Sequence, residues 1–503
     1  VKYFHEFPSH ARFRIFPEVR HYTYSKEVSM RFLVICISAL LLTTGDLLAQ
    51  VDFDRYFHNK TMRVDYHHTG TRGEESFSLD QIFQEEPWPG SRTNLVDTLN
   101  LGEYLLRVFD AQNGVLLYSR GYCTIFNEWQ STAEAGRGIW KTFHETVRFP
   151  FPKRPVQITL SRRDKAMTFR EQFSARIDPN DPTQVNTERR AHDYEIITLM
   201  DNGDIHKKVD ILIIGDGYSK NDMQKFKDDA KHFNTVLFDT SPFKERKKDF
   251  NVRAICAVSE ETGIDIPDRN IWRNTALGSM YNTFGSPRYI LTEANRDIRD
   301  IAGAVPYDFI CILINDSRYG GGGIYQLYTT TYTIERNTGQ EWQRDYVYVH
   351  EFGHSFGGLA DEYYSASTGY EEFYAEGVEP WEPNITRLMN APHVKWQSTV
   401  TRGLDIPTDW GKQQYDQLRN ELMRLDRLAD DYYTKRDPIM KQSNEILSNP
   451  ALLGKVGAFE GAGYMSEGMY RPSLDCRMFS LSLRDFCPVC TAAIERQIDF
   501  YSR

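Results

Sequence analysis

The sequence has 503 residues, 40% of them hydrophobic and 26% charged, which is enough chain for two or three domains of ordinary soluble globular composition. Its formal net charge is −10, with 60 Lys and Arg against 70 Asp and Glu. No overall positive field exists to attract phosphates, which argues against nucleic acid as a main partner.

Taken in chain order, residues 30–49 come first, reading MRFLVICISALLLTTGDLLA. Arg31 is a short positive flank, Phe32 to Leu42 has the length of a signal-peptide apolar region, and Leu47-Leu48-Ala49 before Gln50 resembles a cleavage site. The run is too short for a permanent membrane helix. Cys36 lies inside it rather than at the cut, which argues against a lipoprotein anchor. The competing reading is a buried N-terminal helix. The expectation is therefore that residues 1–29 are upstream, non-native sequence, that Met30 is the start, and that 30–49 is a signal peptide. The mature chain would be periplasmic, secreted or at the cell surface. It keeps 54 Lys and Arg against 66 Asp and Glu, a formal charge of −12, and six cysteines. Export permits oxidation of some of them. Cys123, Cys256 and Cys311 sit in apolar runs and read as buried thiols.

Residues 51–188 are rich in short alternating runs separated by turn signals: MRVDYHHTG, YLLRVFDAQ, GVLLYSRGY, KTFHETVRFPF, VQITLSRR and EQFSARIDP. Asn113-Gly114 between two such runs predicts a hairpin. An all-β sandwich is expected, with no catalytic constellation. His67-His68 reads as an exposed strand-end pair, with a metal pair as the alternative. A polar linker from Pro179 to about Glu188 marks the boundary.

From residue 190 to 503 the pattern changes to alternating strands and helices. Val209 to Ile214 is a continuous apolar strand ending in Gly215-Asp216-Gly217-Tyr218, and Ser219 caps a helix with apolar residues at helical spacing. Residues 251–259 and 307–316 predict two more strands. Gly320 to Gly323 is not a phosphate loop, because no Gly-Lys-Ser/Thr follows and no helix opens there; a flexible loop able to lie along a substrate is expected.

Tyr346 to Tyr364, YVYVHEFGHSFGGLADEYY, organises the rest. His350 and His354 lie one helical turn apart on one face, so both imidazoles can reach one zinc ion. A catalytic zinc takes three protein ligands and keeps a fourth position for water, and Glu351 stands beside the first histidine as a base for that water. Gly357-Gly358 falls where the helix must stop and turn, and Asp361 and Glu362 follow directly, so that either could return to the metal. The alternatives are a buried helix whose histidines bond to backbone, or a purely structural metal site.

Residues 365–450 are polar and contain a charged helix, QQYDQLRNELMRLDRL, read as a surface insertion without part in the chemistry. Beyond it lie Glu460, Tyr464, Tyr470, Cys476, Met478 and Cys487-Pro488-Val489-Cys490. One C-x-x-C is a weak zinc signal, since a tetrahedral site needs two further ligands. In an exported chain a disulfide joining Cys476 to Cys487 or Cys490 is expected.

Together these stretches resemble the bacterial IgA-peptidase-type zinc metallopeptidases, family sixty-four of the metallopeptidases. The resemblance rests on Gly215-Asp216-Gly217-Tyr218, HEFGHSFGGLADEYY, GAFEGAGY, MYRP, CRM and FCPVC. It covers the mature chain, including a preceding β-domain. It implies an α/β (α+β) metzincin-like zinc peptidase domain preceded by the all-β sandwich. In the metzincin arrangement the second histidine is followed by Gly at +3 and a ligand at +6. Gly357 fits, but the +6 residue is Ala360, which cannot ligate. Asp361 at +7 is assigned as third ligand, with Glu362 as the alternative. Met478 is the candidate for a methionine turn beneath the metal, with Met465 and Met469 behind it.

The expected function is an exported endopeptidase that holds one Zn2+ through His350, His354 and Asp361, uses Glu351 as base, and acts on protein or peptide substrates. Tyr464 and Tyr470 are either donors to the oxyanion or packing residues. Nothing in these residues reads an antibody hinge, so other extracellular proteins are as open as IgA. One rival is an inactive cell-surface module that binds glycan or host protein on a zincin scaffold. Another is an exopeptidase, which would need a charged pocket for a chain terminus.

Overall fold

In the computed structural model the described residues are 51–85, 87–188, 193–333, 341–364, 370, 373–426, 431–482 and 484–503. The expected upstream segment and signal peptide lie outside them, as does the junction at 189–192. No described helix is long and apolar enough to cross a membrane.

The N-terminal strands run as β1 (Phe57–Gly70), β2 (Glu75–Glu85), β3 (Tyr104–Asp110) and β4 (Leu116–Tyr122), then helix α1 (Ile125–Gln130), then β5 (Lys141–Pro152), β6 (Val156–Arg163), β7 (Phe169–Ile177) and β8 (Val185–Asn186). They form two four-stranded sheets, β5-β1-β2-β8 and β4-β3-β6-β7. Alternation dictates which side chains go inward: Met62, Val64 and Tyr66 of β1 share one core with Leu106 and Val108 of β3 and Ile158 and Leu160 of β6. The Asn113-Gly114 turn joins β3 to β4 antiparallel as expected, with Gly114 at φ +73°. The polar linker is not wholly unpaired, because β8 runs parallel to β2. His68 corrects the expectation for the His67-His68 pair. It is fully buried, stacked between Phe77 and Phe126 at 4.1 and 3.7 Å, with Glu145 2.9 Å from Nδ1 and Glu75 3.3 Å from Nε2. Two carboxylates compensate the buried imidazole, so it is a satisfied core residue.

Beyond the junction come β9 (Ile196–Met200), β10 (Val209–Asp216), α2 (Met223–Phe238), β11 (Phe250–Ile255), α3 (Asn295–Ala302), β12 (Phe309–Ile314), β13 (Gly321–Ile324), β14 (Tyr328–Tyr332), α4 (Glu341–Gly357), α5 (Lys412–Met423), α6 (Tyr432–Leu447), β15 (Val456–Ala462), β16 (Met465–Ser473) and α7 (Pro488–Ser502). The main sheet has the order β13-β14-β12-β10-β11-β9. Its four inner strands are parallel, and both edge strands are antiparallel to their neighbours. The inner strands read as continuous apolar runs because both faces are covered. Ile211 and Ile213 face one core with Phe352 and Phe356 of α4, whereas Leu212 and Ile214 face the other with Ile298 of α3.

The N-terminal strands dock on this unit through polar contacts that bury charge in pairs. Arg63 bonds Asp65 at 2.6–2.8 Å and reaches Asp300 of α3 at 2.7 Å, and the Arg148 guanidinium lies 3.7 Å over the Tyr307 ring. Asp216 of the Gly-Asp-Gly-Tyr motif is fully buried and accepts from the backbone N–H groups of Gly217, Leu277 and Ser279 at 2.9–3.1 Å, so it organises a loop.

The glycine run is not the flexible loop expected from the sequence. Gly321–Ile324 is a strand lying directly against α4. A Cβ on Gly323 would stand 2.2 Å from the Glu351 carbonyl oxygen and 3.1 Å from the His354 Cβ, so only glycine permits this approach. Gly323→Ala is accordingly expected to lower stability by about 1–3 kcal/mol, whereas Gly73→Ala, with open space at its Cβ, should stay within about 0.5 kcal/mol. Urea unfolding of the two variants checks this, and equal effects would contradict the close packing.

Candidate functional site

Helix α4 carries His350, Glu351 and His354. Its apolar face explains its placement: Val349, Phe352 and Phe356 are fully buried against the sheet, with the Phe352 and Phe356 rings stacked at 5.1 Å. That fixes the opposite face toward the cleft. The helix ends at Gly357, and Gly358 turns the chain at φ +62°, a conformation that favours glycine. Leu359 N–H closes back on the Gly353 carbonyl at 3.3 Å. Asn384, which sequence reasoning missed, then brackets Ala360, accepting from its N–H at 2.8 Å and donating to its carbonyl at 2.9 Å.

This turn delivers Asp361 to the histidines. Asp361 Oδ1 lies 3.0 Å from His350 Nε2 and 3.3 Å from His354 Nε2, and the two Nε2 atoms are 3.2 Å apart. The other ring nitrogens face carbonyl oxygens, which only accept: His350 Nδ1 donates to Arg477 at 3.1 Å and His354 Nδ1 to Leu359 at 2.6 Å. Both Nε2 atoms are thereby left to act as ligands. A tetrahedral zinc with bonds of about 2.0–2.1 Å spaces its ligand atoms about 3.4 Å apart, so the residues fit such an ion. Burial disfavours the Asp361 charge, yet the two imidazoles hold its carboxyl well below the usual range. Burial also opposes charging His354, but Asp361 raises it to about 9. Glu362, the alternative third ligand, sends its carboxylate to Asn384 and Cys490 instead.

The hairpin of β15 and β16 completes the site. Gly463 N–H bonds the Asp361 carbonyl at 2.9 Å, and Tyr464 N–H bonds that of Tyr363 at 3.0 Å. The Tyr464 hydroxyl donates to Asp361 Oδ2 at 2.5 Å. Gly461 must be glycine, since a Cβ there would lie 2.3 Å from the Tyr364 ring. Tyr470, the other candidate donor, is on β16, where its backbone pairs with Thr386. Met478 is fully buried, and its sulfur would lie 3.1 Å from a Cβ on Gly353, so it sits against α4 between the histidine turns. Met469 packs elsewhere, with Ala360, Ile385 and Ala462.

Two hollows meet at this centre and share Arg288, Tyr319, Val347, Glu351 and Tyr363. One runs toward Glu128, Tyr370 and Trp381, and the other, about 860 Å³, toward Trp342, Tyr415 and Arg419. Helix α5, read from sequence as a surface insertion, is therefore a wall of the cleft, with Tyr415 and Leu418 buried. The cysteines also depart from expectation. Cys476, Cys487 and Cys490 are free thiols, with Cys476 and Cys490 sulfurs 3.9 Å apart, so the expected disulfide is not formed. Cys123, Cys256 and Cys311 are buried thiols, as expected.

The N-terminal strands, in which no constellation was expected, contribute Glu128 of α1 to the first hollow. Burial pushes its carboxyl up to about 7 against the opposing pull of the Tyr370 hydroxyl and His354. The folded chain then holds a proton that the unfolded chain releases near its ordinary value of 4.5, so stability falls as pH rises from about 4.5 to 7. Glu128→Gln should remove that slope, gaining roughly 3 kcal/mol on wild type across the window. Unfolding free energies at a series of pH values test this, and a pH-independent difference would contradict it.

A family model described as IgA Peptidase M64 matches residues 197–498, and one described as Peptidase M64 N-terminus matches residues 52–174. A search of curated proteins finds no match.

Proposed function

The chain belongs to the IgA peptidase M64 family, and from that premise we propose that it is an exported, zinc-dependent endopeptidase acting on extracellular proteins, mucosal IgA-like proteins among them. The observation that carries the proposal is the meeting of His350 Nε2, His354 Nε2 and Asp361 Oδ1 within 3.3 Å of one another, with Glu351 in the same cleft. In this reading residues 51–188 form the N-terminal domain and 190–503 the catalytic domain, a division in keeping with the two matched ranges.

His350, His354 and Asp361 would hold the zinc. Bound there, zinc supplies Lewis acidity, bringing the pKa of a water toward neutrality and polarising a carbonyl. Glu351 takes the proton from the attacking water and returns it to the leaving amine. Burial raises its carboxyl, while His350 and His354 oppose the rise, so it is poised as a base that can also give the proton back. Tyr464 holds Asp361 in its orientation through Oδ2. Asp361 as a +7 ligand and Met478 against Gly353 make the arrangement metzincin-like with a one-residue shift.

The cleft extends on both sides of Glu351, which suits a chain passing through rather than a terminus held in a closed end. That supports an endopeptidase over an exopeptidase. The complete set of His350, Glu351, His354 and Asp361 weighs against an inactive binding module.

Glu351→Gln is expected to retain zinc and lose about 10²–10⁴-fold in casein hydrolysis. Wild-type turnover by that variant would overturn the assigned role. Tyr464→Phe should weaken zinc binding by about 10–100-fold, measured by competition with a chromogenic chelator; unchanged affinity would show that its bond to Asp361 does not matter.

A further inference from the structure

Behind the acidic turn lies a second cluster that the peptidase reading does not use. Glu362, Cys476, Cys487 and Cys490 each offer one ligand atom, and these four atoms all lie within 4.8 Å of one another. All four residues are buried, three of them completely. They come from three segments: the turn after α4, the stretch after β16, and the start of α7, where Cys487 is the cap residue. The C-x-x-C pair thus acquires the two further ligands that its sequence alone does not supply.

Several independent features point to a bound cation. The Cys476 and Cys490 sulfurs are 3.9 Å apart, where a tetrahedral zinc with Zn–S bonds of about 2.3 Å sets its sulfurs about 3.8 Å apart. A disulfide needs about 2.05 Å. Backbone N–H groups already aim at two of the sulfurs, Cys487 N–H at Cys476 Sγ (3.2 Å) and Cys490 N–H at Cys487 Sγ (3.5 Å), an arrangement that favours sulfur carrying negative charge. Glu362 is wholly buried. Its Oε1 is 3.0 Å from Asn384 Nδ2 and 3.1 Å from Cys490 Sγ, while its Oε2 has no hydrogen-bond partner among the described residues. A buried carboxylate oxygen left without a partner is costly unless a ligand completes it.

We propose that Cys476, Cys487, Cys490 and Glu362 form a second, structural zinc site. Three soft sulfur ligands select zinc over magnesium or calcium. Four protein ligands close the coordination sphere, which leaves no position for water and no catalytic role. Loading displaces to solvent the protons that these four groups carry, as the three sulfurs and one carboxylate oxygen bind. The buried Arg471 guanidinium interacts with Glu362 and offsets part of the remaining negative charge.

The location gives the site its purpose. Glu362 adjoins Asp361, Cys476 stands two residues before Met478, and Arg477 between them supplies the carbonyl that orients His350. Zinc here fastens the acidic turn, the segment beneath α4 and the C-terminal helix at one point. The inference does not depend on the catalytic metal, because its ligands are different residues.

The test uses the purified full chain with His350→Ala and His354→Ala combined, so that the first site cannot contribute. Elemental analysis should find one zinc per chain, released by an organomercurial thiol reagent. Reloading the same variant with cobalt should give thiolate-to-cobalt charge-transfer absorption, and adding Cys487→Ser should abolish it. Wild type should carry two zinc ions per chain if both sites bind. A double-alanine variant without zinc, a cobalt spectrum without the thiolate band, or non-reducing peptide mapping that finds two of the three cysteines disulfide-linked would each overturn the proposal. The metal and mapping results come from a chain with all three cysteines intact, so a misfolded Cys487→Ser variant does not blur them.

Discussion

The structure turns on the reversal of the chain between His354 and Asp361. A helix can present two imidazoles on one face unaided, but here the carboxylate that meets both of them comes from beyond its end. The chain must stop, turn and come back within seven residues. Gly358 makes the turn at a positive φ, Asn384 holds Ala360 from both its N–H and its carbonyl, and the β15–β16 hairpin pairs with Asp361 and Tyr363. Each acts on backbone and fixes where the Asp361 side chain leaves the chain, and the Tyr464 hydroxyl then orients its carboxylate. That is the preorganisation a site of this kind requires.

The same logic explains the short motifs around the site. Gly323 and Gly461 are glycines because a neighbouring backbone or ring occupies the Cβ position. Arg471 is buried to donate to the Gly461 and Leu474 carbonyls while its guanidinium lies 3.8 Å over the Phe479 ring. Asp216 serves a loop. These residues carry no chemistry themselves, but they fix the elements that do.

Much of this was legible in the sequence where a short-range rule applied. The spacing of His350 and His354, the glycines that end the helix, the apolar strands at 209–214 and 307–316 and the Asn113-Gly114 hairpin are all local patterns. The glycines that end the helix pointed to Asp361 or Glu362 as the returning carboxylate, and it is Asp361 that lies beside both imidazoles. What could not be read depends on contacts distant in sequence. Asn384 and Glu128 look like any loop or helix residue until folding brings them to the cleft. Tyr328–Tyr332, with three consecutive threonines, reads as polar but is an interior strand with every residue buried. Gly320 to Gly323 reads as a loop because glycine has low strand preference, and only the helix lying against it explains the choice. His68 was misread for the same reason, since its partners Glu75 and Glu145 come from separate segments; the C-x-x-C pair does meet Cys476 as expected, but as free thiols and beside Glu362, which its local spacing did not announce.

Anomalous diffraction from crystals of the zinc-loaded protein, recorded on both sides of the zinc absorption edge, tests the central claim most directly. A peak bonded to His350 Nε2, His354 Nε2 and an Asp361 carboxylate oxygen at about 2.0–2.2 Å is the result predicted. Zinc-replete crystals with no peak there, or with either imidazole turned away from the ion, would contradict it.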